Sequence, residues 1–212
     1  IPLQPQQKML KTHRISRRFC SSFTVDESRY WVQHLLREHN IFRNIVGSIQ
    51  VGYQLFKENE NNEILNDLKK MWNIDLEWRG RIHVEKEDKI ILDILRQNEP
   101  KLWYEFVNKW ETDHDSLKLN MSVIKMDPHN LTQNEFDGYI KAFNDHVYWE
   151  ESFAIPFIMN EASIDTNVKI THGIDIYDIE HNQVLHELKT ASQQMIDKYP
   201  SQSNIQMAEL KL

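Results

Sequence analysis

Apolar positions recur three and four residues apart along most of this chain, and that period predicts helices. Tyr30, Trp31, Leu35, Ile41, Phe42, Ile45, Val46 and Ile49 make a wide apolar face. It opens after Thr24-Val25-Asp26-Glu27, a hydroxyl residue with Glu three positions on, which reads as a capping box. His39-Asn40 is a candidate break, and Gly47 and Gly52 weaken the case for one helix as far as Phe56. Ile64, Leu65, Leu68 and Met71 predict a short helix over 63–72, and Ile90, Ile91, Ile94 and Leu95 predict another over 86–97. Pro100 suits a first helical turn, and Leu102, Trp103, Phe106, Val107 and Trp110 form an aromatic stripe behind it. Thr132-Gln133-Asn134-Glu135 is a second capping box, followed by Phe136, Tyr139, Ile140, Phe143 and Val147 on one face. Pro156 is expected to end or kink that helix, and a last helix is expected from about Asn182 to Tyr199.

Three stretches depart from the helical period. Ile74, Leu76 and Trp78 alternate with Asp75 and Glu77, and Ile82 and Val84 flank His83, which suggests a small hairpin around Arg79-Gly80 or a surface loop. Val168–Ile170 and Ile174–Tyr177 read as short strands, and 113–130 is ambiguous. The expected fold is mainly α, a helical bundle of about five or six helices with one or two minor β elements. A single helical domain is expected over 25–200, with a mobile tail over 201–212.

Charge changes the picture at the N-terminus. Met9–Phe23 carries Lys11, Arg14, Arg17 and Arg18 with Ser16, Ser21 and Ser22, and the first acidic residue is Asp26. Basic, Ser-containing and acid-free, the segment resembles a mitochondrial targeting leader, expected over 1–24, with 1–8 upstream of a start at Met9. Arg17-Arg18-Phe19-Cys20-Ser21-Ser22 resembles a two-step processing site with cuts before Phe19 and before Glu27; one cut near Cys20 fits equally. The alternative is a retained basic arm for nucleic acid or membrane. Residues 1–24 carry a net +5, so 25–212 carry −12 of the chain's −7. That acidity argues against nucleic acid as a partner of the domain.

Cys20 is the single cysteine, so the domain itself offers no disulfide and no thiolate metal ligand. The longest apolar run, Phe153–Met159, falls far short of the ~20 residues that span a bilayer. No glycine-rich phosphate loop and no nucleophile elbow occurs. His34 and Glu38 are four apart on one helix, as are His146 and Glu150, and two such pairs on facing helices supply four donors. Carboxylate-bridged metal bundles use Glu-x-x-His at three apart, so the pairs read as solvated hydrogen bonds. Asp113-His114-Asp115 starts like a calcium loop but lacks Gly at position six and Glu at twelve. His172, Glu180, His181, His186 and Glu187 form the densest histidine cluster, without the i,i+4 spacing of a zinc helix.

No catalytic, cofactor-binding or metal-ligating residue is therefore expected. Trp103, Trp110, Phe153, Pro156 and Phe157 are candidate interface residues, since Trp and apolar kinked segments anchor partners. The functional expectation is a non-catalytic accessory subunit of a mitochondrial inner-membrane complex, of the respiratory chain or ATP synthase. Its partners would be other subunits, and it would lie in the matrix or on the matrix face of the membrane, peripheral at most. Two alternatives stand beside it: a matrix enzyme built on the His172–Glu187 cluster, and a peripheral mitoribosomal protein.

Overall fold

The computed structural model describes residues 27–126 and 129–201. The basic segment with Arg17, Arg18 and Phe19, Thr24 of the first capping box, and the tail beyond Ser201 lie outside the described residues. The fold is mainly α, a helical bundle. The helices are α1 (Tyr30–Asn59), α2 (Asn62–Glu77), α3 (Val84–Lys86), α4 (Asp93–Asn98), α5 (Pro100–Met126), α6 (Gln133–Trp149), α7 (Ile155–Glu161), α8 (Ile164–Glu180) and α9 (Asn182–Lys198). Wider π-helical turns at Trp78–His83 and Glu87–Leu92 join α2, α3 and α4 into one rod, and Glu150–Ala154 joins α6 to α7. None of the described helices is long and apolar enough to cross a membrane.

The expected β elements are absent among the described residues. The alternation at Ile74–Val84 misleads because Asp75 and Arg79 are themselves buried, as an ion pair at i,i+4. Ile74, Trp78 and Ile82 share that inner face at helical spacing. The strands expected at Val168–Ile170 and Ile174–Tyr177 lie within α8, whose N-cap Ser163 accepts a hydrogen bond from the Thr166 amide. His39-Asn40 does not break α1. Gly52 in α1 marks a close helix approach: a Cβ there would lie 2.9 Å from Met71 Cε. Pro156 does not end its helix. It lacks the N–H that an α-turn donates four residues back, and the π turn at Glu150–Ala154 lies where that ladder is interrupted. The capping box at Thr132 and Glu135 is present in both directions.

Four rods make the bundle: α1, α2–α4, α5 and α6–α7. Buried apolar residues fall into two separate clusters. One holds Phe42, Ile49, Leu68, Ile82, Met121, Tyr139 and Val147; the other holds Trp31, Leu35, Ile91, Leu95, Trp110, Ala154 and Ile158. Each rod contributes to both, in an order that reverses from rod to rod, as short connections between antiparallel neighbours require. The rods therefore cross a middle layer, and in that layer the buried side chains are polar.

Candidate metal centre

Each rod sends one histidine into the middle layer: His39 from α1, His83 from the first π turn, His114 from α5 and His146 from α6. Each occupies a place where the helical period calls for an apolar residue, as His39 does between Leu35 and Phe42 and His114 between Trp110 and Leu117. Two rods add a carboxylate, Glu87 and Glu150, both at the first residue of a π turn. π turns recur at functional sites because the extra residue re-aims the side chains that follow. All six residues are buried.

The six fall into two overlapping sets. In one, His39, His83, Glu87 and Glu150 each place a donor atom within 4.8 Å of every other; in the second, His114, His146, Glu87 and Glu150 do the same. The two carboxylates are shared through different oxygens. Glu87 places Oε1 3.2 Å from His83 Nε2 and Oε2 3.1 Å from His114 Nε2. Glu150 places Oε2 3.2 Å from His39 Nε2 and Oε1 3.2 Å from His146 Nε2. His39 Nε2 and His83 Nε2 are 3.2 Å apart.

These distances are not those of satisfied hydrogen bonds. Neither oxygen of Glu87 or Glu150 has an aligned hydrogen-bond donor, nor has His114 Nε2 an acceptor, although all are buried. Buried polar atoms without partners are rare and costly, so five of them in one place need an explanation. The atoms converge on common points rather than on one another. A transition ion about 2.0–2.2 Å from its donors holds neighbouring donors about 2.8–3.6 Å apart, at angles between square and tetrahedral. The five adjacent spacings above, 3.1–3.2 Å, fall in that range.

The outward face of each ring is held by a second carboxylate. His39 Nδ1 lies 3.0 Å from Glu151 Oε1, His83 Nδ1 2.8 Å from Glu38 Oε2, and His114 Nδ1 2.8 Å from Asp88 Oδ1. His146 Nδ1 is 3.9 Å from Asp113 Oδ2, too long for a hydrogen bond. An Nδ1–H donating outward fixes the tautomer and turns the Nε2 lone pair inward, as metal-bound histidines require. Arg43 grips Glu151 through both terminal nitrogens, at 2.9 and 2.6 Å, and Lys86 donates to Glu38 at 2.6 Å.

A comparison with models of protein families, with curated proteins and with solved structures finds no match for this chain.

Electrostatics describe a cluster lacking balance at its centre. Burial opposes charge on His83, yet Glu87 and Glu38 outweigh it and push the ring up to about 9. Burial likewise opposes charge on His114, but Asp88 and Glu87 raise it to about 9. Burial drops His146 to about 4. Burial, with Glu87 beside it, raises Glu150 well above the ordinary carboxylate range, whereas against the same burial His83 and His114 hold Glu87 well below it. Protons thus stand where ions would stand. With neutral imidazoles, two divalent ions together with Arg43 and Lys86 carry as much charge as Glu38, Glu87, Asp88, Asp113, Glu150 and Glu151 oppose.

Sequence reasoning singled out some of these residues and missed others. His146–Glu150 enters the site as an i,i+4 pair, and His83–Glu87 is its counterpart on the second rod. Glu38 supports His83 from outside, while His34 contacts Lys86 and Asp178 one layer further out. His172, Glu180, His186 and Glu187 are exposed on α8 and α9, and His181 stacks on Tyr177; none reaches the centre. Trp110 is buried and packs against His114 and Trp149. Phe153 is half exposed and stacks on Phe157, Pro156 is half-buried, and Trp103 packs at the edge of the second apolar cluster.

Proposed function

We propose that the protein is a dinuclear metalloprotein in which Glu87 and Glu150 bridge two ions, one between His39 and His83, the other between His114 and His146. The observation that carries this reading is the two-sided arrangement of the rings. The four Glu oxygens and His114 Nε2 have no aligned hydrogen bond and the other Nε2 atoms converge beside them, while the outward nitrogens of three rings are held by carboxylates.

Four imidazoles with two carboxylates are the wrong donors for calcium or magnesium, which take oxygen. They suit first-row transition ions, and paired carboxylate bridges inside a helical bundle are an arrangement used for iron and manganese. The nitrogen-rich set favours iron of the two. Two bound iron ions supply electron exchange with a small oxidant such as dioxygen or peroxide. The chain's own residues hold the donors in place, and the apolar clusters above and below exclude water. Glu87 and Glu150 keep two ions at one spacing, and the outer carboxylates balance their charge.

Membership of a mitochondrial assembly is a separate proposal that rests on the basic N-terminal segment, and it is compatible with a metal centre. A non-catalytic subunit is supported by the basic segment and the aromatic-rich chain, and the donor cluster of the middle layer weighs against only its third support, the lack of a catalytic or cofactor motif.

The test is equilibrium dialysis of the full chain against iron(II), manganese(II) and zinc(II) without oxygen, followed by metal counting. The expected result is two ions per chain, with iron(II) oxidised on admission of dioxygen. One ion or none would contradict the reading.

A further inference from the structure

We infer that the two ion positions are unequal: a divalent ion enters and leaves at the position between His114 and His146, while the one between His39 and His83 is retained. The inference rests on the dinuclear reading and concerns which half of the centre opens.

The difference lies in what stands behind each ring. Behind His39, Glu151 is clamped by Arg43, and the side chains of both are under a tenth exposed. Behind His83, Glu38 accepts from Lys86 and from Trp78 Nε1 at 3.3 Å, and Lys86 is fully buried. An open groove of about 790 Å³ reaches this flank, lined by His34, Glu38, Trp78, Asp178 and His186 among others. Its floor is closed. Lys86 ties Glu38 at 2.6 Å to Asp178 at 2.9 Å, so groove and ligand are separated by a paired layer. Water reaches His39 or His83 only by separating charges that are buried together, which is costly.

The other half has one thin layer. Asp88, behind His114, has a side chain 34% exposed, and Asp113, behind His146, is 21% exposed and pairs outward with the half-exposed Lys109. His146 is also the one ring whose Nδ1 lacks a carboxylate within hydrogen-bond distance. An ion leaves by losing donors one at a time, and the donor with the least outer support departs first. Outer partners change metal affinity about 10–100-fold, enough to separate two otherwise matched positions.

The test loads the full chain with cobalt(II), whose visible absorption reports its donors, and follows release into excess EDTA. Two phases of equal amplitude are expected, their rates about tenfold or more apart. Asp113→Asn and Asp88→Asn should speed the fast phase and leave the slow one unchanged. His146→Ala should hold one ion, released at the slow rate. His186→Ala, which alters the groove away from that paired layer, should change neither. Should His146→Ala fail to fold, the Asp113→Asn result decides, since that side chain is partly in water. A single phase, or a fast phase that survives in His146→Ala and disappears in His39→Ala, would overturn the inequality while leaving a dinuclear centre intact. Fewer than two ions in the unaltered chain would contradict the dinuclear reading and this inference with it.

Discussion

Two polar clusters are buried in this bundle one helical turn apart, and they are built on opposite plans. At the first, the Arg79 guanidinium donates through Nε to Asp75 Oδ1 at 2.8 Å, and the Tyr139 hydroxyl donates to Asp75 Oδ2 at 2.7 Å. The face of the guanidinium lies over Phe143 at 4.8 Å and over Tyr139 at 5.6 Å. Charge meets charge inside the cluster, and both carboxylate oxygens are used. At the second, the outer ring of Glu38, Glu151, Asp88, Arg43 and Lys86 is satisfied, while the inner atoms of Glu87 and Glu150 are not. A buried ion pair whose opposite charges meet directly, with Arg79 Nη1 alone left unpaired, is a structural device. A buried ring of donors whose central carboxylates lack aligned hydrogen bonds is a receptacle, in which ions would take the places that the Nε2 protons of His83 and His114 hold in their absence.

The same chemical change at the two clusters should therefore have opposite consequences. The largest effect expected is on ion binding in Glu150→Gln, which removes a bridge. Affinity for the second ion should fall by well over about a hundredfold, more than an outer-partner change produces. Metal-free stability should change little, because burial and the neighbouring Glu87 already disfavour a charge on Glu150. Chemical denaturation with and without iron(II) checks both statements. Next in size, Asp75→Asn should cost about 3–5 kcal/mol of stability by stranding Arg79, and should leave two ions per chain. If Asp75→Asn instead emptied the centre, the separation of the two clusters would be wrong. Glu151→Gln should weaken ion binding about 10–100-fold through His39, read by competition with a chelator, with little change in metal-free stability.

A further effect is on pH dependence. His83 and His114 are raised from an ordinary value near 6.5 to about 9. A raised histidine lends stability that is fully present below its unfolded value and is lost as pH rises through the folded one. The metal-free chain should thus melt several degrees lower at pH 9 than at pH 6.5. The loaded chain should lose that slope, since ions then hold the places of the Nε2 protons. Equal slopes with and without metal would disconnect these two rings from the ions.

Most of the helices could be read from the chain because apolar period, capping boxes and the polar turn near Asn61 agree with one another. The bundle's second rod could not. Asp75, Arg79, His83 and Glu87 stand four apart on its inner face, all buried, so polar residues occupy positions that the period assigns to apolar ones. An inward polar stripe looks like a broken helix when every polar residue is assumed to face water. The centre was hidden for a related reason. The template of Glu-x-x-His spaces carboxylate and imidazole three apart, whereas His83–Glu87 and His146–Glu150 are four apart and reach the middle layer with the help of π turns. The usable signal was one histidine interrupting the apolar stripe on each of four rods. That pattern becomes visible only when the rods are placed side by side, since His39 and His146 are distant in sequence.

The central claim is that four histidines and two glutamates enclose two ions. The most direct test is anomalous diffraction at the iron edge from crystals of the full chain reconstituted with iron(II). Two peaks about 3.5–4 Å apart are expected, one between His39 and His83 and one between His114 and His146, with Glu87 and Glu150 spanning them. A single peak, or iron bound only on exposed residues with the middle layer empty, would contradict the account.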